Sequence, residues 1–183
     1  MLPTTEEQST SIDLVKADFY EALACHQIIN SIDLDAANEK SAALSTTMEF
    51  ILKSLLFRMA MAIDRLTQFQ NSNRVSLVIL LKENRNIFSE TAIDEITNDP
   101  FLEKLRACRH GFMAHTLTGS RGSRQGFTRE ELGDFFFSKI IPATTKLFNA
   151  LNVSWGGWES YQTQWIDISS SLSDLLASEN EQF

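Results

Sequence analysis

Glycine is missing from the first half of this chain. All seven glycines lie at or after Gly111, and neither glycine nor proline occurs from Thr4 to Asp99. Tight hairpins and phosphate-cradling loops need glycine, so that stretch offers no basis for a hairpin sheet, a P-loop or a dinucleotide-binding turn. Cysteine is almost as scarce. Cys25 and Cys108 are far apart and form no CxxC pair, which excludes a disulfide framework or a zinc ribbon. Cys25 and His26 together with Cys108 and His110 match no zinc spacing either, so no metal and no cofactor is expected. No apolar run approaches the roughly eighteen residues of a membrane span. The opening "MLPTTEEQST" has no basic or apolar leader region. The expectation is therefore a chain without signal peptide or membrane anchor, at home in a reducing cytoplasm. GxSxG, HExxH and DxDxDG are also missing, which removes the common hydrolase and metal-site signatures.

What is present is helical periodicity. Ile12, Val15, Phe19, Ala22, His26 and Ile29 recur at spacings of three and four, predicting a helix over roughly 10–30 with His26 in its core face. Leu44, Met48, Ile51, Leu55, Met59, Ala62, Leu66 and Phe69 predict a longer helix over roughly 38–70. Phe50, Phe57 and Met61 give it a second apolar line, the mark of a helix central to a bundle. "RVSLVILLKENR" predicts a short helix and "SETAIDEITND" a further turn or two. Asp99 and Pro100 are placed to cap and start another helix, running to about Thr116. After it "TLTGSRGSRQGF", about 117–127, reads as a mobile basic loop. Thr128 with Glu131 makes a capping box, and Leu132, Phe136, Ile140, Ala143 and Leu147 mark a buried face that Pro142 should kink. "NVSWGGW" predicts a turn, and Trp158, Tyr161, Trp165, Ile168, Leu172 and Leu175 a last helix. The expectation is one domain over 1–183, an all-α antiparallel up-and-down bundle of roughly five to six helices, frayed at 1–8 and 178–183. Trp155, Trp158 and Trp165 are expected to be core or interface anchors.

Charge is distributed unevenly. Lys104, Arg106, Arg109, Arg121, Arg124 and Arg129 fall in a segment without Asp or Glu, which also holds His110 and His115. That segment carries +6, leaving −14 on the rest of a chain whose net charge is −8. A basic island on an acidic body can draw a polyanion to one place while repelling it elsewhere. The alternative is that the island only neutralises acidic neighbours. On an ideal helix Arg109 and His115 are about 120° apart around the axis and about 9 Å along it. They converge only through the reach of arginine, a distortion at Gly111, or a second copy of the helix across a two-fold axis. Gly111, without a side chain, would let two such helices approach closely.

An arginine, a polar residue, four more residues and a histidine, near the end of a helix in an all-α bundle, resemble the HEPN superfamily. Here the motif is Arg109-His110-Gly111-Phe112-Met113-Ala114-His115. The preceding "LFRMAMAIDRLTQFQNSNRVSLVILLKE" looks like the abortive-infection (AbiU-type) branch, and the resemblance covers about residues 40–118. It implies a metal-independent endoribonuclease, usually a homodimer with two such motifs lining one cleft, acting as a toxin or antiphage effector. Leu117 stands where family members silenced by a partner nucleotidyltransferase tend to have tyrosine, and His110 where Asn or Asp is common. The identity of any antitoxin is thus left open.

The chemistry explains the residue types. Metal-free RNA cleavage uses the 2′-OH as internal nucleophile. Histidine can take or give a proton near neutrality, and arginine matches the phosphate on which charge develops. On this reading His115 is general acid/base and Arg109 steadies the phosphate. His110 and Arg106 are accessory, and Lys104, Arg121, Arg124 and Arg129 are candidate RNA-backbone contacts. Asp64, on the face of Phe57 and Met61, either orients Arg109 or a histidine or is a plain structural ion pair. His115 continuing an apolar stripe as a core histidine, and Arg109 as a surface ion-pair residue, are the bland alternatives. Should they hold, the chain is a non-catalytic HEPN-like scaffold or an RNA- or nucleotide-binding module.

Overall fold

The computed structural model of the protein describes residues 5–68, 75–118 and 126–155, and for 5–9, 36 and 110–118 the backbone alone. Among the described residues there is no strand, and they are all-α as expected. Its helices are α1 (Thr5–Ser31), α2 (Leu34–Lys40), α3 (Ala42–Thr67), α4 (Leu77–Glu83), α5 (Glu90–Thr97), α6 (Pro100–Thr118), α7 (Arg129–Phe135) and α8 (Ile141–Ala150). None of them is long and apolar enough to cross a membrane. The helix expected at 158–175, with Trp158 and Trp165, lies outside the described residues.

The caps explain most boundaries. Ser76 starts α4 by accepting from the Ile79 amide at 3.3 Å, and its hydroxyl donates to the Gln68 carbonyl beyond the end of α3. Ser89 caps α5 through the Ala92 amide at 3.2 Å. Asp99 accepts from the Phe101 amide at 2.9 Å, with Pro100 beginning α6 as its fixed φ favours. After α8, Asn152 adopts a positive φ of 52° and Val153 donates back to the Phe148 carbonyl at 2.9 Å. This is a left-handed helix stop, which asparagine tolerates better than most residues.

Several expectations need correction. The N-terminal helix begins at Thr5, not near residue 10, so 5–8 are helical rather than frayed; nothing in "TEEQS" breaks a helix. The helix expected over 38–70 is two helices. Asp33 caps α2 by accepting from the Asp35 amide at 3.1 Å, and Ser41 opens α3 by accepting from the Leu44 amide at 3.1 Å. Residues 117 and 118, expected in the loop, close α6. Phe50 is 72% exposed, so the second apolar face of α3 is not buried along its length. It lies two residues beyond the buried Met48, about 200° around the helix. His26 is half-buried, at the edge of the face formed by Cys25, Ile28 and Ile29, and its Nε2 meets Asn30 Nδ2 at 2.7 Å.

Two compact units are present: Met1–Phe19 with Ala60–Ser154, and Tyr20–Met59 with Trp155–Phe183. In the second, Ile28, Ile32, Ala37, Leu44 and Met48 form a core flanked by Leu34, Ile51, Leu52 and Leu55. Tyr20 donates its hydroxyl to the Trp155 carbonyl at 3.0 Å there. The first unit buries Val15 and Phe19 of α1, Ile63 and Leu66 of α3, and Leu77, Leu81, Leu102 and Leu105 of α4 and α6. The predicted face Leu132, Phe136, Ile140, Ala143 and Leu147 is buried throughout. The expected distortion near Pro142 takes the form of a π turn over Phe136–Ile140, in which the Ile141 amide reaches the Phe136 carbonyl. Pro142 has no N–H to offer Ser138, and the wider turn relieves its ring's clash with that carbonyl. The turn leaves Phe136 inward, with its ring 5.7 Å from that of Phe19.

The capping box at α7 yields a test. Thr128 accepts from the Glu131 amide at 3.2 Å, and the Glu131 carboxylate accepts from the Thr128 amide at 2.8 Å. Glu131 is also held by Lys104, and this ion pair, followed by the Thr128 amide, keeps its pKa below the ordinary glutamate value. A depressed carboxylate contributes stability above its unfolded pKa and loses it as pH falls through the folded value. Thr128→Ala should cost about 1 kcal/mol at neutral pH in thermal melts. Glu131→Gln should remove part of the stability lost between about pH 5 and pH 3. An identical acid-side decline in that variant would show that Glu131 plays no part in it.

Candidate functional site

The site is organised around one buried carboxylate. Asp64 occupies the fourth-last position of α3, where its neighbours Ile63 and Leu66 are fully buried, and its own side chain is only 2% exposed. Carrying charge into such a place is costly unless partners surround it. Three do. Arg109 on α6 donates from Nη1 to Asp64 Oδ2. Gln68, one helical turn beyond Asp64, donates from Nε2 to the same oxygen at 2.8 Å. Arg106, one turn before Arg109 on α6, brings Nε to 3.6 Å from Oδ1, an ion pair beyond hydrogen-bond distance. Arg106 also points Nη2 at the Thr67 carbonyl, 3.4 Å away.

Local sequence accounts for each position. Leu102 and Leu105 are buried on α6 and fix its rotation; Arg106 and Arg109 then fall on a neighbouring strip at i and i+3. Their side chains are 31% and 30% exposed, so each arginine reaches Asp64 while part of its side chain stays open to solvent. Ser76 holds the end of α3 through the Gln68 carbonyl, which steadies the turn carrying Asp64 and Gln68.

Of the residues singled out from sequence, Asp64, Arg106 and Arg109 come together here. His110 and His115 lie on the α6 backbone, but their side chains fall outside the described residues, as do Gly111 and Leu117 in their surroundings; Arg121 and Arg124 lie outside them altogether. Lys104 is engaged elsewhere: Nζ donates to both Glu131 oxygens, at 2.7 and 2.8 Å. That pairing is of the kind the alternative reading named, a basic residue neutralising an acidic neighbour, here one from α7. Arg129 begins α7. Arg65, next to Asp64 in sequence, faces a different way and pairs with Asp18 at 2.6 Å.

Two features had no sequence signal. Gln68 is an ordinary polar residue until Asp64 is seen beneath it. A cavity of about 370 Å³ lies between α6 and the α7 region, lined by Asp99, Pro100, Phe101, Lys104, Glu131, Asp134, Phe135 and Ser138. None of the Asp64 group lines it. Among the described residues no group of three or more His, Cys, Asp or Glu side chains is arranged to hold a metal ion. No family model matches the chain, and no curated protein or solved structure matches it either.

Proposed function

We propose that the chain is a metal-independent endoribonuclease of HEPN type, an antiparallel up-and-down bundle acting in the cytoplasm as a toxin or antiphage effector. The observation that carries the reading is the hold of Asp64 on Arg109. A free arginine would lose considerable side-chain entropy on gripping a phosphate, whereas one already fixed on a buried carboxylate is oriented beforehand. Arg109 then steadies the charge that develops on the phosphorus oxygens, and His115, six residues further along α6, exchanges the proton with the 2′-OH or the leaving 5′-oxygen. Arg121, Arg124 and Arg129 supply contacts to the RNA backbone, whereas Lys104 would first have to leave Glu131. The separation of about 120° between Arg109 and His115 favours a homodimer that shares its sites through α6 near Gly111. An antitoxin partner belongs to the toxin form of this reading.

A second reading has its own observation. Asp64 is buried and in contact with both arginines, as a purely structural latch would be, and the chain would then be a non-catalytic dimeric scaffold or an RNA- or nucleotide-binding module. One experiment separates the two. Purified protein in EDTA is expected to cut single-stranded RNA, leaving 2′,3′-cyclic phosphate and 5′-hydroxyl ends. No cleavage in EDTA, or complete dependence on added Mg²⁺, would exclude the ribonuclease mechanism.

A further inference from the structure

We infer that Arg106 and Arg109 together form a two-guanidinium seat for a single RNA phosphodiester, and that Asp64 fills part of that seat when RNA is absent. The inference rests on the ribonuclease reading for its ligand, but its geometry is independent of it. Two permanent positive charges meet one carboxylate, which leaves the trio one charge in surplus. The surplus is not shared evenly. Asp64 Oδ2 is taken by Arg109 and Gln68, whereas Oδ1 stands 3.6 Å from Arg106. Among the described residues Arg106 makes only that ion pair and the long bond to the Thr67 carbonyl. A guanidinium has five N–H donors, so most of those on Arg106 have no partner there.

Direction of approach follows from burial. Asp64 is closed to solvent at 2%, so an anion cannot come from its side. Both arginine side chains are about one-third exposed and lie one turn apart on the same strip of α6. Two planar forks at that spacing can take the two non-bridging oxygens of one diester, an arrangement for which arginine is suited and lysine is not. In that state Arg106 is a binding residue with a direct phosphate contact, not a bystander of Arg109. Asp64 acts as a positioning residue that also competes, because its charge opposes the incoming phosphate.

The competition sets opposite signs for two substitutions. Arg106→Gln removes a phosphate contact and should weaken binding. Asp64→Asn keeps the shape but raises the local charge by one, and should tighten it. A simple latch predicts the reverse for Asp64, since loosening the arginines would spoil whatever they hold.

The probe is a fluorescein-labelled single-stranded 2′-O-methyl oligoribonucleotide, which cannot be cut because its 2′ oxygen is blocked, titrated by anisotropy at several salt concentrations. Arg106→Gln should bind about tenfold more weakly and flatten the slope of log K against log salt by about 0.7, the share of one contact on a single strand. Arg106→Lys should retain the slope while binding more weakly than wild type. Asp64→Asn, checked for folding by its thermal melt, should bind several-fold more tightly. Unchanged affinity and slope in Arg106→Gln would overturn the seat, as would weaker binding by a folded Asp64→Asn. Should Asp64→Asn not fold, Arg106→Gln decides alone. Adenosine monophosphate competing more strongly than the oligonucleotide would also overturn it, by assigning the arginines to a free nucleotide. Because the probe is not cleaved, a chain that binds as described but cuts no RNA keeps the seat and loses the ribonuclease reading, whereas a chain that cuts RNA with an Arg106-independent slope does the opposite.

Discussion

His115→Ala should reduce RNA cleavage by about 10²–10⁴-fold, the range for loss of a positioned general acid or base. The substitution removes the α6 histidine that the proposed chemistry uses, and a thermal melt of the variant checks that the fold is retained. Arg109 needs more care, because alanine there also strands Asp64. Arg109→Lys keeps a positive charge beside the carboxylate but lacks the planar fork, and should lose about 10²–10³ in kcat, the scale for one transition-state donor. If sites are shared across a dimer, mixing inactive His115→Ala and Arg109→Lys chains should restore part of the activity, since some dimers then hold one intact pair. Gly111→Leu should separate the protomers and lower activity with them. Wild-type rates in His115→Ala would remove that residue from the chemistry. A fully active monomer in sedimentation would end site sharing while leaving open a site within one chain.

Much of this architecture was legible in advance, for local reasons. Asp99-Pro100 and Thr128 with Glu131 cap their helices through bonds within three residues, and short-range chemistry of this kind can be read from a string of letters. The face Leu132 to Leu147 was legible because every member is buried, so period and burial coincide. The break at Ser41 was not. "KSAAL" contains no glycine or proline, and a serine cap competes there with a periodicity that runs on through it. Phe50 misled for a related reason: periodicity reports where apolar residues lie, not whether anything covers them. In the site, an aspartate within an apolar stretch marked Asp64 as needing a partner, and the basic motif offered Arg109. Which of the two arginines would make the hydrogen bond depends on the rotation of α6, set by Leu102 and Leu105 packing against distant residues. Lys104 illustrates the limit. Its partner Glu131 is 27 positions away and was already assigned to a cap, a role that it performs at the same time.

Asp64→Ala should be the most damaging single change to stability in the site. Two effects oppose each other. Removing the carboxylate relieves its own desolvation, but it leaves two guanidiniums without their shared counter-ion, and Gln68 without its acceptor. Breaking a buried pair from one side costs about 3–5 kcal/mol. Because the arginines keep contact with water, the low end applies, about 3 kcal/mol, which for a chain of this size is a fall in Tm of about 6–12 °C. Arg109→Ala should approach the same loss, since it leaves a carboxylate that solvent cannot reach with only Gln68 and the longer contact to Arg106. Arg106→Ala should cost under about 1 kcal/mol, as its contact is longer and its side chain about one-third exposed. Denaturant melts of the two single variants and of Asp64→Ala/Arg109→Ala would complete a double-mutant cycle. The expected coupling is about 2 kcal/mol, the double variant being far less damaged than the sum of the singles. A coupling near zero would mean that the carboxylate does not hold Arg109, and the pre-orientation on which the proposed catalysis depends would go with it.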